Sequence, residues 1–455
     1  MDRYKMYMCR TVVCCLMLLF AASMKAFNYD YSQVWVSKMF LSKPDPQGGC
    51  IVNLTFEQAL DVIRVTDNLS LGIPKIVYLV GWQYNGHDDK YPAFFDANEL
   101  LKRPEDKSAI ESLRWLMREA RKYHTIVSLH INMTDAYDDS PLWDEYVKHD
   151  LISKNADGTL KVIGEYNNRK AYQINYKNEW ESGYTQKRID TLLSLLPELK
   201  EAGTIHSDAW IARPSEGHNE TVIKEAEYQK KAALYWKAKG MDITSEWVMD
   251  YMVGYVSYAW HFNGFVQNDY LKIPASVYTG TGINPDIKTS DHALGFLFGT
   301  SCYGEPIWKG ADSRVWEKAL IQDFMLKVPQ YYYLNRLHRD SVSGTGNNRI
   351  AWFSDQVSVS LKDSIVKQSN RILREKNTIS IPALWRNDNG IIIYTSDKDG
   401  KTVLDVPYHW DDFERAKWYE VTNEGLRLLK EVRISKNKVE LMLKRDVPYY
   451  LIPEF

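Results

Sequence analysis

Thr204-Ile205-His206-Ser207-Asp208-Ala209-Trp210 and Asp242-Ile243-Thr244-Ser245-Glu246-Trp247 bracket the stretch that decides the fold. Each reads as a short strand that ends on an acid. Between them a helix starts near Asn219, carries Val222, Ala226, Ala233 and Trp236 at helical spacing, and stops at Gly240. Strand, helix and strand in succession imply two parallel neighbours in one sheet.

The same alternation extends towards the N-terminus. Val34–Met39 reads as a first strand. In Lys75–Trp82, residues Ile76 to Val80 run without a polar break, as expected for a strand buried on both faces. A helix follows with Ile110, Leu113, Met117 and Ala120 on one face and Asp106 placed to cap it. Thr125–Ile131 is a third strand. A helix from about Asn178 carries Ile189, Leu192, Leu193 and Leu196. Later strands fall near Tyr255–Trp260, Ala275–Tyr278 and Ile307. No G-x-G-x-x-G follows the early strands, which speaks against a dinucleotide sheet. The expected class is α/β: a (β/α)8 barrel of the triose-isomerase type over residues 27–374. From 375 to 455 short strands such as Ile391–Thr395, Thr402–Val406 and Val439–Leu443 are separated by turn signals such as Asn387-Asp388-Asn389-Gly390. They predict a small antiparallel β-sandwich.

Residues 1–26 read as a signal peptide, with Lys5 and Arg10 before the apolar run Thr11–Ala22. An exported protein is expected, in the periplasm, at the cell surface or secreted, with no membrane span in the mature chain. Cys9, Cys14 and Cys15 lie in or beside the leader. Cys50 and Cys302 remain; they are no disulfide framework, and the sequence allows either one bridge between them or, the preferred reading, two free buried thiols. The formal net charge is −2, from 57 basic and 59 acidic side chains, so no field of one sign is present to hold nucleic acid. The 15 Trp and 30 Tyr provide flat, half-polar rings that suit sugar faces as well as a core.

In a barrel the C-terminal strand ends form the functional face, so Asp208 and Glu246 stand side by side there. Two such acids can flank a glycosidic oxygen: one attacks the anomeric carbon, and the other protonates the leaving oxygen and later activates water. Glu246 is expected to have a raised pKa, through burial beside Trp247 and the charge of Asp208. The loop Gly81-Trp82-Gln83-Tyr84-Asn85-Gly86-His87-Asp88 supplies Trp82, Tyr84, His87 and Asp88 as candidate substrate contacts. His130 and Asn132 point the same way at period two, and His130 serves either substrate or core. Trp210, Trp247, His261 and Trp308 are further candidate subsite residues, and Asp291 a candidate third acid. No H-E-x-x-H, C-x-x-C pair or Walker loop occurs, and neither metal nor cofactor is expected.

Taken in order, Gly81-Trp82-Gln83-Tyr84, Gly86-His87-Asp88, Pro92, His130-x-Asn132, Tyr137, Asp208 and Thr244-Ser245-Glu246-Trp247 resemble the catalytic barrel of endo-α-N-acetylgalactosaminidases, glycoside hydrolase family 101. Family 129 is a more distant relative. The resemblance implies retaining cleavage of α-linked N-acetylgalactosamine from O-glycans of mucin-type glycoproteins. It makes Asp208 the nucleophile, Glu246 the acid/base and Asp88 a binder of sugar hydroxyls. A non-catalytic carbohydrate-binding barrel and an amylase-like barrel, with Asp291 as its third acid, are the alternatives. Family members usually carry a large sandwich before the barrel, whereas here the first strand follows the leader closely.

Overall fold

The computed structural model describes residues 27–262, 265–281, 291–308 and 313–454, so the leader at 1–26 lies outside the described residues. Seven parallel strands form one sheet in chain order: β1 (Trp35–Phe40), β2 (Lys75–Val80), β3 (Thr125–Asn132), β4 (Thr204–Asp208), β5 (Asp242–Val248), β6 (Tyr258–Phe262) and β7 (Thr279–Gly280). Among the helices on its outer side are α1 (Phe56–Leu69), α2 (Ala109–Glu119), α3 (Tyr184–Leu195) and α4 (Val222–Ala238). Thr55 caps α1 in a reciprocal box with Gln58, and Thr221 caps α4. The cap of α2 is Ser108; Asp106 instead accepts a hydrogen bond from the Ser112 hydroxyl, two residues upstream of its expected role.

The pleat sorts side chains to two faces. Trp35, Val77, Leu79, Val127, Leu129, Ile205 and Ile243 pack outward in one core under the helices. Val36, Ile76, Tyr78, Tyr258 and Trp260 cluster on the other face. Contacts across that second face show that the sheet curls. The Tyr78 hydroxyl on β2 meets the Thr204 hydroxyl on β4 at 2.5 Å, and Lys38 on β1 reaches Glu246 on β5 at 3.1 Å.

Past β7 the expected strand pattern is not followed. Ala275–Tyr278 precedes the two-residue β7, and Ile307 sits in a turn. The segment 300–303 has no strand assignment, yet it lies along β1: the Lys38 amide donates to the Tyr303 carbonyl at 2.6 Å, and the Trp35 indole donates to the Cys302 carbonyl at 2.7 Å. Gly280 explains part of the irregularity, because a Cβ there would come within 1.8 Å of the Ala259 carbonyl oxygen.

A buried ion pair fixes the end of β3. Arg188 on α3 donates to Glu179 at 2.5 Å and to the Asn132 carbonyl at 3.1 Å, and Tyr146 and Thr185 also donate to Glu179. Replacing Arg188 with Met leaves the Glu179 carboxylate buried without its cation, and should cost about 3–5 kcal/mol in urea unfolding. A loss below about 1 kcal/mol would show that the pair is not a fixed part of the scaffold.

From Arg339 the chain forms a ten-stranded antiparallel sheet. The expected boundary at 375 falls between two paired strands of this sheet, Arg371–Glu375 and Thr378–Pro382. Strands before it, such as Val357–Ser360 and Ile365–Gln368, are four residues long and mix polar with apolar side chains, so no apolar run announces them. Ile392, Tyr394 and Tyr450 face the core under the barrel helices. Ile391, Ile393 and Leu451 face a second core, covered by the small sheet of Gly400–Asp405 and Lys438–Leu443. The expected sandwich is therefore one large sheet with a two-stranded cover. Cys50 and Cys302 are free thiols, Cys302 buried and Cys50 half-buried. Among the described residues no helix is long and apolar enough to cross a membrane.

Candidate active site

Register places the two acids. β4 and β5 pair Thr204 with Asp242, His206 with Thr244 and Ser207 with Ser245, so Asp208 and Glu246 are the next residues on the two strands. β3 joins them by pairing Asn132 with Asp208. Neighbouring strands lie about 4.8 Å apart, so acids in register at their ends meet directly. The two carboxyls line a cavity of about 230 Å3 with Lys38, Asp88, Asp135 and Glu305.

Burial raises the Glu246 carboxyl above its ordinary range. Lys38 opposes the shift, while the Asp208 charge adds to it. Lys38 is 2% exposed, 3.1 Å from Glu246 and 3.7 Å from Glu305. Burial alone would lower its ammonium; the carboxylates of Glu246, Glu305 and Asp208 outweigh that and raise it. His130 is buried with its Nε2 3.5 Å from Asp208, and neither ring nitrogen makes a hydrogen bond. Burial, then the charge of Lys38, pushes its pKa well down, so its imidazole is neutral at pH 7.

Two glycines aim the loop after β2 into the cavity. Gly81 and Gly86 adopt φ of +73° and +118°, and a Cβ on either would strike the backbone of Ser42–Lys43 within 2.5 Å. The His87 amide donates to the Ser42 carbonyl at 2.9 Å, which brings His87 and Asp88 to the cavity wall, 3.3 Å from one another. Burial raises the Asp88 carboxyl, with the His87 charge opposing. Arg169 braces this loop from a hairpin of Val162–Tyr166 and Arg169–Gln173, donating to Asp89 at 2.6 Å and to the Asp88 carbonyl at 2.8 Å.

The remaining candidates separate. Trp247 lines the cavity. Asn132 is buried at the strand end and caps the following turn, accepting from the Thr134 and Asp135 amides. Its amide nitrogen makes no hydrogen bond. Trp82, Trp210 and Trp308 are core residues instead: Trp82 donates to the His130 carbonyl, Trp210 packs on Tyr176, and Trp308 on Trp35. Their ring size and low exposure explain this. Tyr84 lies off the cavity, beside Asp96 and Phe95. Asp291 is no third acid: it is exposed and forms a two-pronged ion pair with Arg349 near the start of the C-terminal sheet. The His261 backbone pairs with Trp247, and its side chain lies outside the described residues.

Sequence reasoning missed Lys38, Glu305, Asp135, Arg213 and Tyr166, all on the cavity wall. Lys38 left a signal, as the lone charge in a strand that is otherwise apolar or Ser. Glu305 and Arg213 left none, because they lie in irregular segments. His87, His130 and Asp208 bring possible ligand atoms within 4.8 Å of one another. Four-coordinate zinc holds its ligand atoms about 3.3 Å apart, so this set is loose for a metal. Its donors serve equally as partners for hydroxyls.

Paired acids on adjacent parallel strand ends, beside a polar cavity, are an arrangement that can serve acid/base and nucleophilic chemistry at a glycosidic bond. Residues 50–264, which hold both acids, match the family model described as endo-alpha-N-acetylgalactosaminidase, Glyco_hydro_101. No curated protein matches the chain significantly. Among solved structures, alpha-N-acetylgalactosaminidase NagBb from Bifidobacterium bifidum in complex with GalNAc is similar at TM-score 0.55 and 12% identity, over 75% of this chain and 58% of that one. Its ligand-free form is similar at TM-score 0.54 and 14% identity, over 74% and 58%. The chain thus spans a little over half the length of that enzyme, and the likeness is one of fold.

Proposed function

We propose that this chain is an exported, retaining glycoside hydrolase that cleaves α-linked N-acetylgalactosamine, or a related α-galactoside, from O-glycans. The observation that carries the reading is the register of Asp208 and Glu246, neighbours at adjacent strand ends. Inverting enzymes hold their acids about 6.5–9.5 Å apart to admit water, whereas a retaining pair needs only about 5–5.5 Å. A sugar entering between these two would part them towards the retaining distance. We also read the segment at 300–303 as the eighth position that closes the barrel, on the strength of its bonds to β1.

In the first step the Asp208 carboxylate attacks the anomeric carbon from the β face while Glu246 gives its proton to the leaving oxygen. A β-linked glycosyl ester forms and the aglycone departs as an alcohol. In the second step Glu246, now ionised, takes a proton from water. The water oxygen attacks the same carbon from the α face, Asp208 is released, and the sugar leaves as its α-anomer. Asp88, His87 and His130 supply polar atoms for the sugar hydroxyls. The raised Glu246 carboxyl sets the alkaline limb of activity above the ordinary glutamate range, because the first step needs the protonated acid.

A screen against aryl α-glycosides of N-acetylgalactosamine, galactose and the core-1 disaccharide tests the substrate class. Turnover of an N-acetylgalactosaminide is expected. Binding without turnover of any of them would favour a carbohydrate-binding barrel.

A further inference from the structure

Lys38 lies between the two carboxylates of Glu246 and Glu305, 3.1 and 3.7 Å away, with the Trp260 ring centroid at 5.7 Å. Its main chain is held on both sides. It pairs with Tyr78 on β2, and its amide donates to the Tyr303 carbonyl, two residues before Glu305. One hydrogen bond thus sets both Lys38 and the segment that carries Glu305. Both carboxylates lie within reach of the same ammonium, so its ion pair can pass from one to the other by rotation at the end of the side chain.

The reaction described above, on which this inference rests, leaves Glu246 neutral before the first step and charged after it. A buried ammonium without an anion is costly in either state. We propose that Lys38 is a positioning residue that changes partner as the proton moves: Glu305 holds it while Glu246 is protonated, and Glu246 holds it while Glu246 is ionised. Other groups around Glu246 do not do this. Asp208 on β4 and Asp88 on the loop after β2 are acids, and His130 on β3 makes no hydrogen bond. His87 is 3.3 Å from Asp88, and the Tyr303 ring lies tilted against Trp260, centroids 5.8 Å apart.

The test is the pH profile of kcat/KM for Lys38→Met, Glu305→Gln and the double variant. Lys38→Met removes the charge that favours ionised Glu246, so the alkaline limb should move up by about one pH unit or more. Breakdown of the glycosyl-enzyme, which needs ionised Glu246, should slow, giving a burst of aryl alcohol. Glu305→Gln leaves Lys38 to Glu246 alone, and the limb should move down by a similar amount. In the Lys38→Met background, Glu305→Gln should add little further movement. Limbs that stay in place, move in the same direction, or move additively would overturn the proposal, whatever happens to kcat. Should Lys38→Met not fold, Lys38→Gln takes its place, and a limb that Glu305→Gln leaves unmoved is enough to overturn it. Failure of the acid/base reading itself is told apart by Glu246→Gln: if that variant slows good and poor leaving groups alike, the reading falls before the role of Lys38 is at issue.

Discussion

Asp208→Asn should reduce kcat/KM on an activated aryl α-N-acetylgalactosaminide by at least about four orders of magnitude, leaving only what binding and the surrounding polar groups supply. The amide has the size of the carboxylate, so the cavity keeps its shape, but the nitrogen and oxygen of an amide cannot form the glycosyl ester. Asp208 sits at the end of β4, with its backbone fixed by pairing on both sides, so a shifted strand cannot account for the loss. A companion Asp208→Gly variant opens room where the carboxylate was. Azide should then restore aryl release and give the glycosyl azide of β configuration, because the small anion attacks from the face that Asp208 leaves. Retention of full activity by Asp208→Asn would remove this residue from the nucleophile's role.

Glu246→Gln should separate substrates by their leaving groups. Natural or alkyl aglycones need a proton at the departing oxygen, and should lose about a hundred- to ten-thousand-fold in rate. Dinitrophenolate departs without one, so formation of the glycosyl-enzyme should be nearly spared. Its breakdown should slow, because no base remains to activate water, and the intermediate should accumulate. Azide, which needs no base, should relieve this step and give the α-configured azide. The two variants therefore give azides of opposite configuration from one substrate. Equal loss for good and poor leaving groups would show that Glu246 is not the acid.

Much of the parallel sheet could be read from the chain because it is buried on both faces. Lys75–Val80 shows this as an apolar run, and the helix from Val222 to Ala238 shows it as spacing closed by Gly240. The end of the sheet could not be read in this way. β7 has two residues, and the segment along β1 after Thr300 bonds through carbonyls without a strand pattern. The pairing of the two acids was legible because neighbouring parallel strands bring their ends side by side. The Gly81 and Gly86 loop was legible as a polar cluster, although its direction depends on contact with Ser42–Lys43 that no local pattern carries.

Aromatic residues misled most. Trp82, Trp210 and Trp308 stand beside site residues in sequence, but their rings are buried in the hydrophobic core. Asp291 misled because an acid followed by His resembles a site motif, while its partner Arg349 lies 58 residues further on, near the start of another sheet. Lys38 and Glu305 went unread for the opposite reason. Lys38 is a single charge in its strand and Glu305 lies in an irregular segment, and only the curl of the sheet brings β1 towards β5 and sets both beside Glu246.

The most direct test of the account is proton NMR of the hydrolysis of the aryl α-glycoside that turns over fastest, followed from the first minutes. Double displacement at Asp208 and Glu246 should give the α-anomer of the free sugar first, with the β-anomer growing in only by mutarotation. First appearance of the β-anomer would mean single displacement by water, and would contradict the pairing of these two carboxyls as nucleophile and acid/base.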